Sequence, residues 1–231
     1  MSDSVISGIQ VAIDGPASAG KSTVAKLVAA KYGYVYLDTG AMYRAITWAA
    51  MDAKVALDDE AAVMVVVEKT PIHFAPGTPD QLVFAGDQDV TRVIREETVT
   101  NNVSTVAALP AVRAALTAQM QTIAAAGGIV MDGRDIGTTV LPNAQVKIFL
   151  EASVAERAQR RFKENQAKGI DVSLATLEQE IAARDYKDSH RATSPLTQAT
   201  DAELVDTTSL TIEEVVNKIA DAIDKYINLQ A

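Results

Sequence analysis

The residues Gly15-Pro16-Ala17-Ser18-Ala19-Gly20-Lys21-Ser22-Thr23 fit the pattern G-x-x-x-x-G-K-[ST], between the apolar run Ile9–Ile13 and the helical stretch Val24–Ala29. That order of strand, loop and helix is the setting in which such a run binds phosphate. Two glycines permit backbone shapes that a side chain would block, so successive N–H groups converge on phosphate oxygens. The following helix brings its positive end to the same place. Lys21 would reach the outer phosphates, and Ser22 or Thr23 offers a hydroxyl to magnesium. The plain alternative is a glycine-rich turn with an exposed lysine, but the flanking strand and helix argue against it.

Arginines supply the second kind of chemistry: Arg44, Arg113, Arg134, Arg157, Arg160, Arg161, Arg184 and Arg191 are spread along the chain. A rigid guanidinium fork suits a phosphate monoester, and several forks neutralise two facing phosphates. Arg44 follows Asp38-Thr39-Gly40, and Arg134 lies in Asp132-Gly133-Arg134-Asp135, both directly after apolar runs. Arg184, Asp188 and Arg191 are four and three apart, on one helical face. The simplest reading of that trio is an Arg184–Asp188 surface ion pair. A carboxylate flanked by arginines would also take sugar hydroxyls while its neighbours hold phosphate. Arg157, Arg160 and Arg161 share a face with Glu156 and Glu164 in reach, which fits either a lid over phosphates or a solvated helix face.

The composition narrows the classes. With 231 residues, 48% hydrophobic and 22% charged, the chain reads as a globular protein with one main domain and room for a small insert. A net charge of −9 argues against general affinity for nucleic acid, which basic surface drives. There is no cysteine, and the only two histidines, His73 and His190, are far apart, so disulfides and zinc chemistry are not expected. Met1–Gly8 lacks the basic and apolar regions of a signal peptide. The uncharged stretch from Ala114 to Met131 reads as a helix ending at Gly127-Gly128, not a membrane span. A cytoplasmic protein is the expectation.

The elements that must position these residues alternate. Apolar runs at Ile9–Ile13, Tyr34–Leu37, Ile129–Met131, Val146–Leu150 and, more weakly, Glu203–Val205 are separated by helical stretches. Strands joined through helices pair in parallel, and ligands bind beyond their carboxyl ends. Pro71 to Thr91 breaks the alternation: short apolar runs around Pro76-Gly77-Thr78-Pro79-Asp80 and Gly86-Asp87 predict a small antiparallel insert. Helix is expected over Glu96–Ala126 with a break at Pro110, and over Val154–Ala167, Leu174–Tyr186 and Ile212–Ile227. Thr211 and Glu214 form a capping box for the last of these. Asn217-Lys218-Ile219-Ala220-Asp221 is a guanine-reading N-K-x-D motif with one residue too many, and reads as an exposed helix face.

Together, the loop from Asp14 to Thr23, Leu37-Asp38-Thr39-Gly40-Ala41-Met42-Tyr43-Arg44, Asp132-Gly133-Arg134-Asp135-Ile136-Gly137-Thr138, and Arg184-Asp185-Tyr186-Lys187-Asp188-Ser189-His190-Arg191 resemble the bacterial cytidylate kinases, in that family's order from about Ile9 to Tyr226. The resemblance implies an α/β fold: a P-loop NTPase-type parallel sheet flanked by helices, with a small antiparallel β insert in the nucleoside monophosphate-binding region. It implies a flexible N-terminus over 1–8 and a single nucleoside monophosphate kinase domain over 9–231, with a CMP-binding insert at about 63–104 and a lid at about 154–169. The implied reaction moves the γ-phosphoryl group of ATP to CMP or dCMP with Mg²⁺.

By the same resemblance Gly15 through Thr23, Arg157 and Arg161 bind ATP, and Ser22 contacts Mg²⁺. Ser104, Arg113 and Asp135 read cytosine; Arg184 and Asp188 hold the ribose; Arg44, Arg134 and Arg191 clamp the acceptor phosphate, with Thr39 near the acceptor nucleotide. Lys21, Arg44, Arg134 and Arg191 form the catalytic set. No nucleic acid or membrane partner is implied, and a monomer is expected. The acceptor oxygen is already anionic at pH 7, so no catalytic histidine is needed. Two other classes compete: a GTP-dependent switch, which would need a guanine-reading motif, and a kinase for a non-nucleotide metabolite, for which a ribose clamp has no purpose.

Overall fold

A computed structural model describes residues 8–77, 81–167 and 169–230. In chain order the elements are β1 (Gln10–Asp14), α1 (Lys21–Tyr32), β2 (Val35–Asp38), α2 (Thr39–Asp52), α3 (Glu60–Lys69), β3 (Ile72–Ala75), β4 (Leu82–Ala85), β5 (Gln88–Asp89), α4 (Glu97–Val106), α5 (Pro110–Ala124), β6 (Ile129–Gly133), β7 (Val146–Glu151), α6 (Val154–Ala167), α7 (Leu174–His190), β8 (Glu203–Asp206) and α8 (Ile212–Gln230). The chain divides into two compact units, one of Met1–Leu37 with Ile123–Ala231 and one of Asp38–Thr122.

The first unit is built on a five-stranded sheet in the order β2-β6-β1-β7-β8. β1 pairs in parallel with β6, Gln10 opposite Ile129 and Asp14 opposite Gly133, and with β7, Val11 opposite Val146. This register ends β1 and β6 side by side, so the glycine-rich loop and the Arg134-Asp135 turn leave the same edge of the sheet. Val11 and Ile13 of β1, Val24, Ala25 and Val28 of α1, and Val215, Ile219 and Ile223 of α8 share one apolar core. The middle of β1, Val11-Ala12-Ile13, is apolar because both faces of a parallel strand are covered.

Thr211 and Glu214 form the expected capping box, with Thr211 N–H donating to the Glu214 carboxylate at 2.8 Å and Glu214 N–H to Thr211 Oγ1 at 3.3 Å. Asn217, Lys218 and Asp221 are exposed while Ile219 and Ala220 are buried, so the degenerate guanine motif is the solvated face of α8. α6 and α7 pack on each other through a small core of their own, Ala158, Leu177 and Ile181 with Phe162 at its edge.

In the second unit α2 and α3 start at Asp38 and Asp59, whose carboxylates accept the N–H groups of Ala41 and Ala62. β3, β4 and β5 form the expected antiparallel sheet, with Phe74 opposite Val83 and Phe84 opposite Asp89. Ala41 and Ala45 of α2 pack on Val83 and Ala85 of β4, which joins α2 to the insert. The expected helix from Glu96 to Ala126 is broken before Pro110, whose ring suits a first helical turn. Residues 1–7 of the expected N-terminal segment, 78–80 of the insert turn and 168 of the lid range lie outside the described residues. Among the described residues no helix is long and apolar enough to cross a membrane.

Candidate active site

The glycine-rich loop has the backbone that its composition implies. Gly15 has φ 148° and Gly20, which opens α1, has φ 86°, both in the region that favours glycine. A Cβ on Gly15 would meet the Leu150 carbonyl oxygen, so the loop leaves β1 in close contact with β7. Lys21 is buried, not the exposed lysine of a plain turn, and its Nζ donates to the Pro16 carbonyl at 2.6 Å. Burial pushes the Lys21 ammonium well below the usual lysine range, and Arg134 and Arg184 push it the same way against Asp132 and Asp14. The loop therefore holds a cation whose charge an incoming phosphate would stabilise.

Ser22 Oγ donates to Asp132 Oδ2 at 2.8 Å, and the Tyr36 hydroxyl donates to Asp132 Oδ1 at 2.8 Å. Asp132 ends the apolar run of β6, and the side chains that meet it come from α1 and β2. Thr23 is exposed, which leaves Ser22 as the hydroxyl aimed at a carboxylate. Magnesium prefers oxygen donors and is commonly held by one or two carboxylates, waters and substrate phosphates. Ser22 beside Asp132 fits that chemistry, and no group of three or more acidic, histidine or cysteine residues among the described residues forms a dedicated metal cage.

Asp14, the last residue of β1, is buried, and its two oxygens accept the N–H groups of Ile136 at 2.8 Å and Gly137 at 2.7 Å. These residues open a π-helical turn over Ile136–Val140 that begins as the Asp135 carbonyl accepts from Thr139 and Val140. Burial pushes the Asp14 carboxyl up to about 6, against the two backbone N–H groups that pull it down. A carboxyl whose folded value is raised favours the fold below its unfolded value of 3.8, and that favour is lost as pH rises through about 6. A rise from 3.8 to about 6 corresponds to about 3 kcal/mol. The stability of Asp14→Asn relative to the parent chain should therefore grow by up to about 3 kcal/mol between pH 4 and pH 7. Chemical denaturation of both chains across that range measures it, and a flat difference would remove the raised value.

On the same unit, Arg134 Nε meets Asp188 Oδ2 at 2.9 Å, and Arg191 Nη2 meets Asp135 Oδ1 at 3.2 Å. Burial pushes Asp188 up, but Arg134, Arg184 and Arg191 outweigh it and hold the carboxyl below its ordinary range. The structure thus corrects the picture of an exposed pair: Asp188 is buried, and it pairs with Arg134. α7 also runs on past Tyr186 to His190, so Arg191 stands just after the helix in extended backbone, with its Nε on the Ser194 carbonyl at 2.7 Å.

The three α6 arginines do not act alike. Arg157 is buried: it pairs with Asp185 Oδ2 at 2.6 Å and donates to the Ala17 carbonyl at 3.0 Å and the Ala152 carbonyl at 2.9 Å. Asp185 Oδ1 in turn accepts the Ala17 N–H at 3.3 Å, so both backbone groups of one loop residue are held from α6 and α7. Arg160 is taken up by Glu156 and the Thr207 carbonyl, while Arg161 stands half-exposed at 4.0 Å from Glu164. Of the three, Arg161 is the most exposed.

Within the second unit, Thr39 is the first residue of α2, and Arg44, one turn on, donates to Asp38 Oδ2 at 3.0 Å. Arg95 approaches the same oxygen at 3.6 Å. Among the described residues Arg44 Nε is buried with no hydrogen-bond partner, a donor that an anion would satisfy. Arg113 is buried on α5 with its guanidinium 5.3 Å from the Tyr43 ring centroid and a bond to the Ala107 carbonyl at 3.1 Å. Ser104 lies half-buried on α4. Sequence reasoning missed Asp14, Tyr36, Asp38, Arg95, Asp132 and Asp185 as site residues. The signal available for Asp38 and Asp132 was a carboxylate at the end of an apolar run.

The cytidylate kinase family model matches residues 11–225. A cytidylate kinase of Lactiplantibacillus plantarum is 66% identical over 217 residues, 94% of this chain and 95% of that protein. One of Ligilactobacillus salivarius is 62% identical over 221 residues, 96% of this chain and 99% of that protein. A solved structure of an uncharacterized protein from Eubacterium ventriosum shares the fold with a TM-score of 0.52 and 12% identity, covering 94% of this chain and 98% of that one. A match of the family model over nearly the whole chain, with relatives this similar, means that the chain belongs to the cytidylate kinase family and is a phosphotransferase.

Proposed function

We propose that the chain transfers the γ-phosphoryl group of ATP to CMP or dCMP, giving CDP or dCDP and ADP, and that the residues singled out above divide that work. The observation that carries the reading is the concentration of buried cationic groups around carboxylates at the ends of β1 and β6, in a chain of net charge −9. Local positive charge in an acidic protein serves a local anion.

Gly15 through Thr23 would cradle the ATP phosphates through backbone N–H groups, with Lys21 at the outer ones. Ser22, with Asp132 beside it, would hold Mg²⁺, which would supply neutralisation of phosphate charge. By the family's pattern Arg44, Arg134 and Arg191 would hold the acceptor phosphate. Asp188 with Arg184 would take the ribose, and Asp135, Arg113 and Ser104 the cytosine, with Thr39 near the acceptor. The acceptor phosphate attacks as an anion, so these residues position and neutralise and remove no proton.

The segment of about 154–169 that contains α6 would close as a lid and exclude water, with Arg157 and Arg161 toward ATP. Arg157 lies against the loop through Asp185 and Ala17, which ties α6 to the phosphate-binding loop. Amide exchange over 154–167 should slow when ATP and CMP are both added; no change at saturation of both would remove the lid from this segment. A monomer working in the cytoplasm without nucleic acid or membrane is the accompanying proposal, supported by the acidic composition. The reading is tested by incubation with Mg-ATP and CMP or dCMP, in which CDP or dCDP and ADP should form one for one.

A further inference from the structure

We propose that Asp14 is a positioning residue for acceptor recognition, its carboxylate clamping the turn that carries Arg134 and Asp135 through the N–H groups of Ile136 and Gly137. The inference rests on the reading of Asp135 as the cytosine-contacting residue and deepens it. Asp14 ends β1 directly before Gly15, so one residue starts the phosphate loop with its backbone and fixes the turn after β6 with its side chain.

The geometry is specific. β1 and β6 pair in register up to Asp14 opposite Gly133, which brings the carboxylate alongside the residues that follow. Both oxygens are used, at 2.8 Å to Ile136 N and 2.7 Å to Gly137 N. A carboxylate accepts at both oxygens, whereas an amide of the same shape presents an NH₂ to one of the two donors and leaves it without a partner.

Gly137 is the counterpart of this clamp. A Cβ there would lie 3.2 Å from Lys147 Cδ and 3.4 Å from Asp14 Oδ2. Lys147 has little room to give, since its Nζ is held by the Pro142 carbonyl at 2.6 Å and by Asp201 at 2.7 Å. The turn is held from both ends: Asp14 fixes its backbone, and Arg191 meets the Asp135 side chain at 3.2 Å. π-helical turns of this kind recur at functional sites. Asp14 shares its electrostatic action on Lys21 with Asp132, whereas the two bonds to the turn are its own.

The test uses the full chain with Asp14→Asn, Gly137→Ala and Asp135→Asn. Steady-state kinetics with CMP, UMP and ATP varied in turn are combined with amide exchange over the 135–140 turn. Asp14→Asn and Gly137→Ala should each raise KM for CMP about tenfold, leave KM for ATP within about twofold, and speed exchange at 136 and 137. Gly137→Ala keeps the Asp14 charge, so a matching effect assigns the role to the turn, and it decides the question should Asp14→Asn fail to fold. Unchanged exchange, or a rise in KM for ATP as large as that for CMP, would overturn the positioning role and leave Asp14 acting through Lys21. An unchanged CMP-to-UMP ratio in Asp135→Asn would instead sink the base-reading role of Asp135, whatever Asp14 does to the turn.

Discussion

Replacing Lys21 by alanine is expected to lower kcat for CDP formation by about two to three orders of magnitude, or about 3 to 4 kcal/mol, with the fold retained. The charge that develops on the transferred phosphoryl group is stabilised by a cation fixed beside it, and Lys21 is the loop cation. The surroundings of Lys21 explain why the fold should survive. Lys21 is buried, and its ammonium is held down by desolvation and by Arg134 and Arg184. The charged lysine is then a burden on the folded state that alanine removes, which offsets the loss of its packed stem and of the bond to Pro16. Thermal melting should shift by no more than a few degrees. A purified, folded variant that kept most of its kcat would take Lys21 out of the mechanism.

Asp135→Asn should lower kcat/KM for CMP and shrink the preference for CMP over UMP by about tenfold or more, at least about 1.4 kcal/mol. Cytosine presents an amino group where uracil presents a carbonyl oxygen, so a carboxylate accepts from the first and repels the second. An amide can turn either end to the base. A site built on one specific hydrogen bond rejects the wrong analogue because the unmatched polar group is left unpaired. The rival account is that Asp135 only orients an arginine. The structure supplies Arg191 as the partner, 3.2 Å away with both side chains buried. On that account CMP and UMP activity would fall together and their ratio would hold.

How much of this was legible beforehand depends on whether the signal is local. The glycine-rich loop was legible because Gly15 and Gly20 hold positive φ and an apolar strand and a helix must flank them. Pro110 and the antiparallel insert were legible for the same reason, since ring geometry and turn composition act over a few residues. α3 was missed because its apolar residues run together as Val65-Val66-Val67 and blur a helical period.

Asp14 and Asp132 escaped notice because their partners lie 110 to 123 residues away, at Ile136 and Gly137 and at Ser22. No spacing rule reaches that far; only the pairing of β1 with β6 brings them together. The burial of Arg157 was hidden for a related reason. The residue pattern of α6 fits either a lid or a solvated face, and the burial of one arginine is decided by Asp185 and Ala17 from elsewhere in the chain.

The central claim, a kinase that selects cytidine monophosphates, is tested most directly by a single competition. CMP, UMP, AMP and GMP at equal concentration share a limiting amount of Mg-ATP, and the diphosphates are read by mass. The account predicts that CDP takes nearly all of the transferred phosphate, with UDP at least about tenfold behind. Equal CDP and UDP, or a purine diphosphate in excess, would contradict it.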